Sequence, residues 1–118
     1  MAQVMTSSAP YAGALIDLDA VGGVDAGRLE RSLGLTSERV GHGRYRVAGG
    51  HQDHWVDLYT SAHPRCDCGD HLWREQACKH ILAALLREGD QRVVQALAAL
   101  ALRWRDAARA ALMVRRAA

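Results

Sequence analysis

The feature that most constrains the fold is a cluster of sulfur and imidazole side chains in the middle of the chain. It contains all three cysteines of the 118 residues, Cys66, Cys68 and Cys78, followed by His80. The pattern is Cys-x-Cys, nine residues, then Cys-x-His. Zinc prefers thiolate and imidazole ligands, and four of them close a structural site. The sequence therefore predicts one zinc ion bound by these four side chains.

Other chemistries remain open for the same residues. A redox pair of Cys66 and Cys68 leaves the spacing of Cys78 and His80 unexplained, and an iron–sulfur cluster usually takes four cysteines. Three unrelated free thiols are the remaining alternative. A disulfide framework is disfavoured because the number of cysteines is odd and the first two are one residue apart. A catalytic zinc is disfavoured because four protein ligands leave no open position for water.

The spacing of the ligands predicts where they lie on secondary structure. Residues two apart on one continuous helix point about 200° apart, so Cys78 and His80 cannot both lie inside a helix and bind one ion. We expect Cys78 at the turn before a helix and His80 in its first turn. We expect Cys66 and Cys68 on an irregular turn to which Gly69 gives backbone freedom.

Basic residues flank the predicted site. Three thiolates and one neutral imidazole give a zinc centre one net negative charge, which nearby cations and backbone donors stabilise. Arg65, Arg74 and Lys79 are the candidates. We predict that they support the ligands or contact a phosphate. A solvated Lys79 is the plainer alternative.

Periodicity around the cluster predicts a small mixed domain. Polar and apolar residues alternate over 44–47 and 55–59, on either side of a glycine-rich loop at 49–54, which is typical of a β-hairpin. The apolar run after Cys78 predicts a helix that is buried on more than one face. The sequence thus predicts a hairpin and a helix on either side of the metal.

Two further helices are predicted outside this unit. Asp25 is suited to cap a short helix over 26–33, and a long helix follows over 91–115. The predicted fold class is α+β: a small zinc-stabilised ββα finger, that is a β-hairpin plus helix, with a short N-terminal helix and a long C-terminal helix packed on it. We divide the chain into a flexible or partner-ordered segment, the finger with its lead-in helix, and the C-terminal amphipathic helix, at residues 1–24, 25–89 and 90–118.

The last helix has an apolar stripe and a basic end. We expect the stripe to pack as core against the zinc-bearing helix, and a partner or dimer face is the alternative, with Leu97, Leu100 and Trp104 as candidates. The final eighteen residues have a formal charge of +4. This charge suits contact with phosphates, although solvated arginines are the plainer reading. The stripe consists of Val93, Leu97, Leu100, Trp104, Ala108 and Leu112.

The remaining histidines give no catalytic pattern. We expect His51, His54, His63 and His71 to be solvated more often than functional, although His71 is close enough to Cys68 to replace a ligand in principle. No Ser-His-Asp set, paired carboxylates or phosphate-binding glycine loop stands out. We therefore expect a protein that is not an enzyme and has no small-molecule substrate.

Net charge and hydropathy limit which partners and which cellular location the sequence favours. The net charge is +2 and the pI about 8.6, below the value of about 9 that marks a dedicated nucleic-acid domain. The first twenty residues lack the basic and apolar regions of a signal peptide, and no apolar run approaches the roughly 18 residues of a membrane span. We expect no membrane partner and a cytoplasmic location, where thiols stay reduced and available for metal.

The cluster resembles the SWIM-type zinc finger, whose motif is Cys-x-Cys, a variable gap, then Cys-x-His followed by two residues and alanine. The four predicted ligands and Ala83 match this motif. The resemblance covers about residues 44–88 and implies a ββα fold that binds DNA or protein. The chain carries no helicase, nuclease or ligase part, so it resembles a small stand-alone form.

The resemblance also implies a class of partner. SWIM fingers accompany Swi/Snf-type helicases, Mutator-type transposases and ubiquitin ligases, and short ones partner paralogues of RecA-like recombinases. We therefore expect a non-enzymatic adaptor for a protein of DNA repair or recombination, either a RecA-like paralogue or a Swi/Snf-type ATPase. Direct, sequence-nonspecific DNA binding is the alternative, with phosphate contacts from the C-terminal arginines and from Arg44, Arg46, Arg65, Arg74 and Lys79.

Overall fold

A computed structural model describes residues 16–58 and 64–117, so the predictions for residues 1–15, for Tyr59 and for His63 lie outside the described residues. None of the helices in these ranges is both long and apolar enough to cross a membrane. In chain order the elements are a 3-10 helix (Asp19–Val21), helix α1 (Ala26–Ser32), strands β1 (Thr36–Gly41), β2 (Arg44–Ala48), β3 (His54–Asp57) and β4 (Arg65–Cys66), and helices α2 (Gly69–Arg74), α3 (Lys79–Arg87) and α4 (Gln91–Ala117).

The four strands form one antiparallel sheet in the order β1-β2-β3-β4. The central pair is the predicted hairpin, with Tyr45 opposite Val56 and Arg46 opposite Trp55. Because side chains alternate across a strand, Tyr45, Val47 and Val56 are buried while Arg46 and Trp55 face solvent. The α+β class predicted from sequence is confirmed, and the sheet has two edge strands beyond the predicted hairpin.

Helix α3 lies across the inner face of the sheet and forms the centre of the core. Ile81, Leu82 and Leu85 are completely buried, as expected for a helix that is apolar on more than one face. The helix also packs against α1, from which Leu29 contributes a side chain that is 1% exposed. The zinc-bearing helix is therefore also the main apolar element of the fold.

The turn between α3 and α4 is built by Gly89 and Asp90. Gly89 has φ +71°, a left-handed conformation that favours glycine. The Asp90 carboxylate accepts hydrogen bonds from the backbone N–H groups of Arg92 and Val93 at 2.9 and 3.4 Å, and so caps α4. Glycine just after a helix and aspartate just before one are the residue types that these positions favour.

Residues 16–24 differ from the flexible or partner-ordered segment that we expected at the N-terminus. Ile16, Leu18 and Val21 are at most 6% exposed and belong to the same core cluster as the sheet and α3. The Ala77 N–H donates to the Val21 carbonyl at 3.0 Å, which ties this segment to the residue before the third cysteine. The compact 3-10 turn explains the difference, since it lets closely spaced apolar side chains all reach the core.

Helix α4 packs on the rest of the protein only through its first turns. Val93 and Leu100 are 0% and 6% exposed. Every residue from 101 to 116 is exposed, including Trp104 and Leu112 of the predicted stripe. The expectation that the whole stripe packs as core therefore fails after Leu100. The 27 residues of α4 span about 40 Å, longer than the elements available to cover them.

Candidate metal centre

The structure brings the four predicted ligands together. The ligand atoms of Cys66, Cys68, Cys78 and His80 all lie within 4.8 Å of one another, and all four residues are buried. In a tetrahedral site with Zn–S bonds of about 2.3 Å, two sulfurs lie about 3.8 Å apart. His80 Nδ1 lies 3.8 Å from Cys78 Sγ, so Nδ1 is the nitrogen aimed at the sulfurs. Donor chemistry and spacing both fit one zinc ion.

Three elements supply the ligands. Cys66 ends β4, Cys68 is the N-cap of α2, Cys78 is the N-cap of α3, and His80 lies in the first turn of α3. Cys78 and His80 thus lie where their spacing predicts. Gly69 differs from expectation, because it is an ordinary first residue of α2 without a left-handed φ. The start of α2, rather than a glycine turn, directs the Cys68 sulfur inward.

Backbone N–H groups favour the ionised form of the cysteine sulfurs. The His71 N–H donates to Cys68 Sγ at 3.5 Å. The N–H groups of Cys68 and Ile81 act to lower the pKa of Cys66 and of Cys78, respectively. Two of these donors belong to the first turns of α2 and α3, where N–H groups have no partner within the helix. All three favour the thiolate form that binds zinc.

The three thiols do not all ionise readily by themselves. A hydrogen bond from the Cys66 thiol lowers the pKa of Cys78. The same hydrogen bond, together with burial, raises the pKa of Cys66, and burial raises the pKa of Cys68. One sulfur is therefore readily negative while its two neighbours resist ionisation. A divalent cation supplies the charge that lets all three become thiolates.

His54 and Asp67 support His80, and the sequence predicts this role for neither residue. His54 begins β3 instead of lying in a solvated loop, and its ring centroid is 4.3 Å from that of His80. Asp67 Oδ1 lies 3.0 Å from His54 Nδ1 and accepts the Trp55 N–H at 3.1 Å. Burial acts to raise the pKa of Asp67, but the hydrogen bonds from Trp55 and His54 outweigh it and lower the pKa. Asp67, which lies between Cys66 and Cys68, is thereby joined to β3.

A buried arginine places positive charge beside the centre. Arg28 of α1 is 9% exposed and donates through Nε and Nη2 to the carboxylate of Asp70 at 2.6 and 2.9 Å. The hydrogen bond from Arg28 lowers the pKa of Asp70. The pKa of Arg28 is raised by the same bond and, to a smaller extent, by the charge of Cys78. This pair ties α1 to the first turn of α2.

The three cations predicted near the ligands occupy different surroundings. Lys79 is partly buried and lines a cavity of about 290 Å³ beside Cys78 and His80. Arg74 is 69% exposed and lies 3.7 Å from Asp70, and Arg65 is exposed on β4. Of the three, Lys79 lines a cavity together with Cys68, Cys78 and His80. Arg28 was missed because a basic residue in a short helix gives no sequence signal of burial.

His51 and His71, the other predicted histidines that the structure describes, lie outside the ligand set. His71 does not replace a ligand. Its Nδ1 lies 3.0 Å from the carbonyl oxygen of Gln76, and its backbone N–H donates to Cys68 Sγ. His51 is exposed in the hairpin loop, as expected. Among the histidines that the structure describes, His54 is therefore the one whose surroundings differ most from the prediction.

Comparison with known protein families agrees with this geometry. Residues 54–89 match the family model described as SWIM zinc finger. The matched segment runs from β3 to the end of α3 and contains all four ligands. No curated protein and no solved structure matches the chain. The match and the Cys3His cluster confirm the SWIM-type finger expected from the sequence and indicate that it binds zinc.

Proposed function

We propose that the protein is a non-enzymatic adaptor that binds a protein partner of DNA metabolism through the distal half of α4. The observation that carries this proposal is the exposure of residues 101–116. Large apolar side chains are exposed there, Trp104 at 41% and Val114 at 70% among them. Exposed apolar side chains that are grouped on one element suit an interaction site, whereas single scattered ones are ordinary surface.

The finger supplies the rigid base for this helix. Val93 and Leu100 hold the first turns of α4 in the core, and the Asp90 cap fixes where the helix begins. The four protein ligands fill a tetrahedral zinc site, so the metal has no open position for catalysis. Buried thiolates of this kind suit the reducing cytoplasm. The proposed role of zinc is therefore to stabilise the platform.

The class of partner comes from the resemblance of the finger. Short SWIM proteins partner RecA-like recombinase paralogues, and longer ones carry Swi/Snf-type ATPases. A chain in which a SWIM-type finger supports a projecting helix has the parts that such an adaptor needs. We therefore propose an ATPase or recombination factor as the partner.

A pull-down at native expression level tests this function. We expect the tagged protein to recover an ATPase or recombination protein, and Trp104→Ala to lose it. Trp73→Ala is the matched control, because Trp73 is 86% exposed but lies on α2. Recovery of no protein of DNA metabolism, or equal loss with both variants, would contradict the proposal.

Direct binding of DNA is the second candidate, and the arginines of α4 favour it. Arg105, Arg109 and Arg116 are exposed on one side of the helix. The finger itself favours it less, since Arg46 contacts Glu38 at 2.6 Å and Arg74 lies near Asp70. Binding to duplex DNA should weaken steeply with salt and with Arg105→Ala/Arg109→Ala. No binding at about 50 mM salt, where nonspecific binding is strong, would exclude this candidate.

A further inference from the structure

Helix α4 contains a heptad seam that continues from the packed part of the helix into the exposed part. Apolar residues recur at alternating spacings of four and three, the pattern by which two helices pack side by side. The first three positions of the seam, Val93, Leu97 and Leu100, pack on the core. The next four are Trp104, Ala107, Ala111 and Val114, and all four are exposed.

The exposed seam therefore repeats the pattern of a surface that is already covered in the same helix. Trp104 is 41% exposed and Val114 is 70% exposed. The phase of the pattern does not change at Leu100, so the covered and the uncovered positions share one side of α4. We expect another helix to cover the distal half, since a heptad seam packs side by side with a helix.

The edges of the exposed seam carry positive charge. Arg103 precedes Trp104 and Arg115 follows Val114, and these are the flanking positions that contact the partner's flanking residues in a coiled coil. Asp106, the one acidic residue of this segment, lies two positions after Trp104 and therefore away from the seam edges. Complementary pairing requires carboxylates on the opposite helix.

We propose that the exposed seam binds an acidic amphipathic helix of another protein, packed side by side with α4. This inference rests on the proposed adaptor function and specifies the part of the partner that docks. Apolar side chains of the partner helix cover Trp104 and Val114, and its Glu or Asp residues contact Arg103 and Arg115.

The size of the seam residues favours a different chain over a second copy of this one. Ala107 and Ala111 are the small residues of the exposed seam, and small residues pack well against large ones such as leucine. A second copy in register would place alanine against alanine and fill the space between the two helices poorly. It would also bring together two basic segments with no carboxylate at the seam edges. An acidic helix with larger apolar residues satisfies both requirements.

A peptide-binding experiment tests the proposal on the zinc-loaded full-length protein. The probe is a labelled helix of about three heptads with leucine at the seam positions and glutamate at the flanking positions. The comparison probe has lysine in place of each glutamate. We expect fluorescence anisotropy to detect binding of the acidic peptide and at least about tenfold weaker binding of the basic one, because flanking pairs set partner choice.

Charge-reversed variants show whether the seam edges carry this preference. We expect Arg103→Glu/Arg115→Glu to weaken binding of the acidic peptide about tenfold and to strengthen binding of the basic one. Arg105→Glu/Arg109→Glu is the matched control, since it changes the net charge equally but on the side away from the seam. We expect about a twofold effect at most from this control, because exposed charges away from the contact are screened by salt. Ala111→Glu should abolish binding, with unchanged thermal stability.

Four results would overturn the proposal: no binding of the acidic peptide, equal loss with both double variants, no preference between the peptides, or a dimer in sedimentation that Ala111→Glu dissociates. A different result would contradict the proposed adaptor function. If acidic helices bind this seam but the pull-down recovers no protein of DNA metabolism, the partner class is wrong and the docking mode stands. If the pull-down recovers a protein of DNA metabolism and Ala111→Glu still recovers it, the partner class stands and the docking mode is wrong.

Discussion

Asp67 connects a zinc ligand to the sheet, although its own side chain lies outside the ligand set. Its carboxylate holds His54, whose ring packs against His80, and it also accepts the Trp55 N–H. We expect Asp67→Asn to weaken zinc binding about tenfold, because groups that orient metal ligands commonly have effects of this size. Competition with a chelator measures the change. Asp53→Asn, in the exposed hairpin loop, should leave the affinity unaltered, and an equal effect would count against this role.

Arg28 and Arg74 contact the same carboxylate from different environments. Arg28 is buried and makes two short hydrogen bonds to Asp70, whereas Arg74 is exposed and 3.7 Å away. We expect Arg28→Ala to lower the free energy of unfolding by about 2 kcal/mol, as for a hydrogen-bonded charged group. Arg74→Ala should cost less than about 0.5 kcal/mol. Denaturant titration of the zinc-loaded variants measures both free energies of unfolding. Similar losses for the two variants would show that the buried and the exposed arginine stabilise the protein equally, against this prediction.

The ligands themselves should be indispensable. We expect Cys78→Ser and His80→Ala to unfold the finger, since structural zinc contributes on the order of 10 kcal/mol to folding in finger peptides. From the sequence, Arg92→Ala looks like a neutral surface control, but the structure corrects this. Arg92 pairs with the buried Asp90 at 2.6 Å and donates to the Ile16 carbonyl. Arg105→Ala is the appropriate control, and thermal scans in which all three variants melt alike would contradict the prediction.

At the scale of elements, α2 depends on the metal more than any other helix that the structure describes. It has six residues, none of them buried, and is held by Cys68 at its start and by the Asp70 contact. A helix of this length is unstable alone. We expect chelation of zinc to speed trypsin cleavage after Arg74 at least about tenfold, because the opened chain loses local protection.

Cleavage in the distal half of α4 provides the internal control for this experiment. Arg105 and Arg109 lie in the half of α4 that is exposed already in the zinc-loaded protein, so cleavage after them should rise less than cleavage after Arg74 when the metal is removed. Mass spectrometry of the time course separates the sites. A uniform rise in cleavage at all arginines would instead indicate that α2 is no more dependent on zinc than α4.

The helices and strands differ in how clearly the sequence predicts them. The central hairpin and α3 have strong periodicity, and Asp25 caps α1 as predicted, accepting the Arg28 N–H at 2.9 Å. β1 was missed because it is an edge strand whose residues are almost all exposed, so no alternation of polar and apolar residues marks it. His54 was assigned to the loop because a strand that begins with a polar residue looks like a continuation of the turn.

At the scale of the whole molecule, periodicity identifies a face but leaves open what covers it. The stripe on α4 is correct over Val93, Leu97 and Leu100, which pack on the core. The exposure of Trp104 does not follow, because a seam that packs within the chain and one that packs on a partner have the same spacing. The ligand cluster is different, since metal geometry ties each residue to the other three.

The packed body should fold without the distal half of α4. We expect deletion of residues 106–118 to shift the melting temperature by less than about 3 °C, since the side chains of 106–116 are exposed and about 1 kcal/mol corresponds to 4–8 °C in a domain near this size. The deletion keeps one turn beyond Leu100, so that fraying does not reach the core. Zinc stoichiometry should stay at one, while recovery of the partner is lost. A large fall in melting temperature would instead mean that the distal half of α4 stabilises the finger, and the separation of platform and docking helix would be wrong.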